Sequence, residues 1–186
     1  MRTRAVTAVV LAVALLGTAS CADGGASPRP VGVTQSTGAE PAPAGASASA
    51  APAPETLRFT GRTLDGTPFS AAGLAGRPVV LWFWAPWCAT CASQAWTVAE
   101  VAPAYRDTVP VIGVAGLGER QAIRDFVTEF ELSRVPTLDD REGAIWRRFE
   151  VVEQSTFVLI DRNGRVIYQG FLDGEAFTRR LAQLAG

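Results

Sequence analysis

The apolar run Pro78 to Trp84 constrains this chain most, because it leads straight into Ala85-Pro86-Trp87-Cys88-Ala89-Thr90-Cys91. A continuous apolar run bounded by Pro reads as a central strand buried on both faces. A helical pattern follows from Cys88 to about Tyr105, with Pro103 disturbing its end. The pair Cys88 and Cys91 therefore stands where a strand passes into a helix. The unpaired N–H groups and dipole at a helix start favour a thiolate over a thiol. Such a junction suits a disulfide that is made and broken. A static structural disulfide is the plainer alternative, but this spacing closes so small a loop that it constrains the unfolded chain little.

The remaining pattern alternates strands and helices. Leu57 to Thr60 alternates apolar and polar residues, and Asp65-Gly66 is a turn signal, so a hairpin is predicted through Phe69. Val109 to Ala115 reads as a second buried strand. Glu119 to Leu132 carries Ile123, Phe126, Val127 and Phe130 on one helical face, and Gly143 to Phe149 reads as a short helix. Thr156 to Asp161 and Arg165 to Gln169 read as strands joined by Arg162-Asn163-Gly164, where Asn-Gly signals a hairpin. Asp173 to Leu184 is a final helix with Phe177, Leu181 and Leu184 facing inward. The stretch Asp139 to Glu142 is taken as a solvated loop rather than a calcium site. Trp82 and Trp84 are expected in the core on opposite sheet faces, and Trp96 is expected to pack under the site rather than line a docking surface. This order places parallel strands between helices and adds antiparallel strands late.

The cysteine count sharpens the reading. The 186 residues hold three Cys, no His and no Lys, and the net charge is −1. Without His there is no Cys-His or Ser-His nucleophile pair and no His–metal site. With only these cysteines, a structural zinc site lacks two ligands. Nothing basic marks a nucleic-acid surface. Arg2 and Arg4 precede an apolar stretch, Ala5 to Gly17, which is too short for a bilayer span of about 20 residues and is closed by Thr18-Ala19-Ser20-Cys21. That is the form of a secretory signal. Its end resembles the bacterial lipobox, with Thr18 departing from the usual Leu, and lipidation is expected at Cys21, which would anchor the chain outside the cytoplasm; ordinary cleavage to a secreted chain with a free Cys21, and an uncleaved anchor, are the alternatives. Residues 22–54 are Ala, Pro, Ser, Gly and Thr with almost no large apolar side chain, which predicts a flexible tether spanning roughly 30 Å as a coil. Residues 55–186 are then the folded domain.

On Val79-Val80-Leu81-Trp82-Phe83-Trp84-Ala85-Pro86-Trp87-Cys88-x-x-Cys91, Phe59-Thr60-Gly61 with Gly66-x-Pro68-Phe69, and Phe157-Val158-Leu159-Ile160-Asp161-x-x-Gly164, the chain resembles the thioredoxin superfamily. The likeness is to its secreted TlpA-like and DsbE-like thiol-disulfide oxidoreductases. It implies an α/β, thioredoxin-like three-layer fold: a central mixed sheet flanked by helices, with an N-terminal β-hairpin and one inserted βα segment. It also implies that Cys88 is the nucleophile, that Cys91 is the resolving thiol and that the two form a redox-active disulfide. Pro86, Trp87, Ala89, Thr90, Gln94, Gln154 and Ser155 would form the rim.

Three positions depart from the family pattern. The family has a cis-proline facing the cysteines. Val135-Pro136-Thr137 imitates that signature, but Leu-Asp-Asp-Arg-Glu-Gly after it is not the expected strand. The equivalent position is therefore assigned to Ser155, with a trans Gln154-Ser155 bond and altered substrate docking. Gln94 stands where the family often has Glu, and Trp82 where thioredoxin has a buried Asp. These changes leave no evident internal general base.

The resemblance implies an exported enzyme that exchanges the Cys88–Cys91 disulfide with protein thiols, in a direction the sequence leaves open. It would need no cofactor. Its partners would be exported proteins with cysteines or disulfides, an unidentified redox protein and, through Cys21, the membrane. A redox-sensing or binding module is the alternative, and a thiol peroxidase ranks below it.

Overall fold

The computed structural model describes residues 52–186. The signal-like segment, Cys21 and most of the tether reading lie outside the described residues. Strands β1 (Thr60–Arg62) and β2 (Pro68–Ser70) form an antiparallel hairpin. The main sheet has five strands: β3 (Val79–Trp84), β4 (Val111–Ala115), β5 (Thr137–Asp139), β6 (Thr156–Ile160) and β7 (Val166–Phe171). Their spatial order is β5-β4-β3-β6-β7. β3, β4 and β5 run parallel, while β6 and β7 are antiparallel to their neighbours. The helices are α1 (Ala89–Val101), α2 (Arg120–Glu129), α3 (Ala144–Arg148) and α4 (Gly174–Ala185). This is the thioredoxin-like arrangement that the resemblance implied.

Every residue of β3 is buried, as a strand covered on both faces requires. Its side chains alternate between two cores. Val80, Trp82 and Trp84 join Ala95 and Val98 of α1, Ile123 and Phe126 of α2, and Phe177 and Leu181 of α4. Val79, Leu81 and Phe83 join Leu57 and Phe59 near the hairpin, with Ile145, Trp146 and Phe149 around α3. Trp82 and Trp84 thus share one face, with ring centroids 5.7 Å apart. The expectation of opposite faces fails because residues two apart on a strand point the same way.

The short edge strand β5 was not read from the sequence. It follows Pro136 and covers only three residues, too few for a periodic signal. Tertiary pairing makes it: Gly113 of β4 lies opposite Thr137, and Thr63 of the hairpin bridges Leu138 on the outer side. The following acidic stretch is not simply a solvated loop. Asp140 is buried, and its carboxylate accepts the N–H groups of Ile145 and Trp146 at the start of α3, at 2.9 Å each. Burial pushes its carboxyl up, against the pull of those N–H groups. Hydrogen bonding from Arg141 holds the Asp139 carboxyl below its usual range, with the Arg141 and Arg120 charges adding to the effect. The β6–β7 turn closes at Gly164, whose φ of +82° suits glycine and whose missing side chain leaves room for Pro54.

Candidate redox site

Strand registers bring the site together. Parallel pairing of Trp84 with Ala115 sets the β4–α2 loop beside the β3–α1 junction. Antiparallel pairing of Phe83 with Thr156 sets Ser155, just before β6, at the same end. Thr156 in turn pairs with Phe171, which brings Leu172 alongside.

Cys88 caps α1. Its backbone is extended, and its Sγ accepts the Cys91 N–H at 3.0 Å. The same N–H would hold a thiolate on Cys88. Cys88 and Cys91 form a disulfide with Cα atoms 5.2 Å apart. Cys88 is 6% exposed and Cys91 fully buried, so substrate sulfur has access only at Cys88. Ser155 is buried too, and its Oγ lies 3.2 Å from each of the two sulfurs. Disulfide sulfurs carry no hydrogen, so the hydroxyl is the donor. Ser155 has φ +65°, a left-handed conformation that is uncommon for a non-glycine residue.

Gln94 lies under the site, not on its rim, at 3% exposed. Its Nε2 donates to the carbonyls of Ser155 at 3.1 Å and Leu172 at 2.8 Å. Its Oε1 accepts Trp82 Nε1 at 2.8 Å. The departures at positions 82 and 94 are therefore one hydrogen-bonded pair: an indole donor needs an acceptor, and two carbonyls need a donor, which a side-chain amide supplies at once.

Of the residues expected at the rim, Trp87, Ala89 and Thr90 are exposed and Pro86 and Gln154 half-buried. Trp87 is 61% exposed, yet its indole N–H donates to the Leu117 carbonyl. Leu117 and Gly118 were missed as rim residues, although the Gly116-x-Gly118 loop after a buried strand was a signal. A Cβ on Gly118 would lie 2.7 Å from Pro86 Cδ and nearer still to Cγ. Gly118→Ala is therefore expected to cost about 1–3 kcal/mol and to shift the Trp87 emission; unchanged denaturant midpoint and emission would contradict this packing. Trp96 is not under the site. It is 56% exposed and meets Phe130 edge-on, with centroids 5.1 Å apart.

Residues 50–169 match the AhpC/TSA family. Soluble secreted antigen MPT53 of Mycobacterium tuberculosis is 40% identical over 112 residues, covering 60% of this chain and 64% of that protein. The chain thus matches less than two thirds of that relative's length. The structure of Mycobacterium tuberculosis DsbF in mixed oxidised and reduced forms aligns with TM-score 0.66 and 38% identity, covering 71% of this chain and 98% of that one. A secreted Mycobacterium tuberculosis disulfide oxidoreductase homologous to Escherichia coli DsbE aligns with TM-score 0.65 and 35% identity, covering 71% and 100%. The chain belongs to the AhpC/TSA family, as a thioredoxin-like member similar to secreted disulfide oxidoreductases of the DsbE type.

Proposed function

We propose that this chain is an exported thiol-disulfide oxidoreductase acting on protein cysteines. The observation that carries the reading is a Cys88–Cys91 disulfide at the N-terminus of α1, with one sulfur near the surface and the other sealed beneath it. A substrate thiolate attacks Cys88 Sγ. The Cys88–Cys91 bond breaks, and its electron pair leaves on Cys91. A second substrate thiol, having lost its proton to solvent, attacks the substrate sulfur of the mixed disulfide and releases Cys88 as a thiolate. The substrate dithiol is oxidised by two electrons and the cysteine pair is reduced. Run backwards, the same steps reduce a substrate disulfide, with Cys91 resolving the mixed disulfide.

Cys88 Sγ receives the Cys91 N–H and the Ser155 hydroxyl, neither of them cationic. This favours exchange over peroxide chemistry supported by an arginine. The signal-like start and the secreted relatives support export, and the lipobox-like end supports a lipid anchor on Cys21. Mass spectrometry of the mature N-terminus tests the anchor; an unmodified Cys21 would refute it. A redox partner protein outside the cytoplasm would restore the starting state.

The catalytic test pairs insulin-disulfide reduction with oxidative refolding of a reduced, disulfide-dependent enzyme. Activity in at least one assay, absent in Cys88→Ala, is expected. Inactivity in both, with a reversible disulfide, would leave a binding module. Peroxide consumption depending on Cys88 alone would favour a peroxidase.

A further inference from the structure

Opening the disulfide leaves negative charge on sulfur, and the two sulfurs are not equally provided for. Cys88 has the Cys91 N–H and a place at the helix start. Cys91 is fully buried among apolar groups, and burial of that kind raises a thiol pKa and makes a poor leaving group. Among the described residues, the polar side-chain group within reach of Cys91 Sγ is Ser155 Oγ.

We propose that the Ser155 hydroxyl is a catalytic hydrogen-bond donor that stabilises the thiolate leaving from the Cys88–Cys91 disulfide, Cys91 first and Cys88 second. It lies 3.2 Å from both sulfurs, so a small rotation of its O–H serves either step without moving the chain. In the oxidising direction, substrate sulfur bonds to Cys88, the Cys91 thiolate departs, and Ser155 donates to it. When the substrate's second thiolate closes its own disulfide, Cys88 departs and the same hydroxyl turns to it. No proton is transferred to or from Ser155 in either step, so no general base is required there.

The backbone is built for this role. The left-handed φ of Ser155 is strained for a residue with a Cβ. It is held by the Gln94 amide on the Ser155 carbonyl, and Gln94 is itself fixed by Trp82 and Leu172. Gln94 is a positioning residue for the hydroxyl. A donor that favours the reduced, charged pair also makes the disulfide a stronger oxidant.

The proposal rests on the exchange reading, but its test does not need turnover. In the full chain carrying Cys21→Ser, Cys88 and Cys91 are the remaining thiols; thiolate absorbance at 240 nm is followed against pH as the difference from the same chain with both cysteines replaced by Ala, which cancels the tyrosinate signal, and the dithiol–disulfide equilibrium is measured against glutathione. Ser155→Gly removes the hydroxyl while suiting the left-handed backbone, so the fold is expected to be retained or strengthened. Ser155→Ala removes the hydroxyl with the Cβ kept. Loss of a hydrogen bond to a charged group is expected to raise thiol titration by about one unit or more in both variants. The equilibrium should move about tenfold toward the disulfide, a potential about 30 mV more negative. Titration in Ser155→Gly that overlays the parent overturns the proposal. A shifted titration in a chain without exchange activity would sustain it while removing the proposed enzyme function; an active chain with an unmoved titration would do the reverse.

Discussion

Cys91→Ala is expected to accumulate covalent complexes with disulfide-bonded substrates, formed when the Cys88 thiolate attacks the substrate disulfide and displaces its other sulfur as a thiolate, and to lose turnover to background; a reductant releases the complexes. Cys88 remains able to form a mixed disulfide, and the buried thiol that would resolve it is gone. Cys88→Ala is expected to form no complex at all, because the remaining sulfur is sealed from solvent. The two variants lose the same disulfide, worth about 2 kcal/mol on the chain-entropy model. Both variants lose that disulfide, so a difference in trapping between folded proteins reports which sulfur meets substrate. Non-reducing gels with mass spectrometry of the linked peptides make the measurement. Equal trapping by both variants would contradict the assignment of Cys88 as the accessible sulfur.

The second large effect is at Gln94. Gln94→Leu strands Trp82 Nε1 and withdraws a donor from the Ser155 and Leu172 carbonyls, all in the core. Each buried group left without its partner costs about 1–3 kcal/mol. A loss of about 3 kcal/mol in all and about 10 °C in Tm is expected. Gln94→Glu is more informative. The carboxylate still accepts from Trp82, but its other oxygen faces two carbonyls with no hydrogen to offer. Both that contact and burial disfavour the charged form, so the folded-state pKa of the new Glu should stand above its unfolded value of about 4.3. A raised folded pKa means that the folded state binds more protons. Relative to the parent, the variant should be most stable below about pH 4, lose stability as pH rises through the raised folded pKa, and level off above it. Denaturant titrations at pH 4 and pH 8 read this directly; a penalty independent of pH would contradict the hydrogen bonds assigned to Gln94.

The fold was largely legible because its strongest signals are local. The run from Pro78 to Trp84, the amphipathic spacing of Ile123, Phe126 and Phe130, and the turn at Asn163-Gly164 each specify an element on their own. Strand β5 was not legible, because Thr137–Asp139 becomes a strand only through partners distant in sequence. The site divides the same way. Cys88 and Cys91 are marked by their spacing and by the junction they occupy. Ser155 could be placed from the β6 context that follows it, but its contact with both sulfurs comes from the Phe83–Thr156 register. Gln94 and Trp82 stood out separately as departures from a pattern. That one hydrogen bond joins them, and that the amide reaches two carbonyls from different segments, depends on three elements converging. Trp96 shows the opposite failure: its helical position was visible, but which side of α1 faces solvent was set by the packing of Cys91, Ala95 and Val98.

The central claim is that the Cys88–Cys91 disulfide exchanges electrons with substrate thiols through Cys88. Mixing the oxidised chain with one equivalent of a reduced dithiol peptide, then quenching with acid and alkylating, tests it in a single turnover. One peptide disulfide formed for each Cys88–Cys91 pair reduced, through a transient adduct on Cys88, is the expected result. A peptide that stays reduced, while a small-molecule reductant readily opens the same disulfide, would contradict the account.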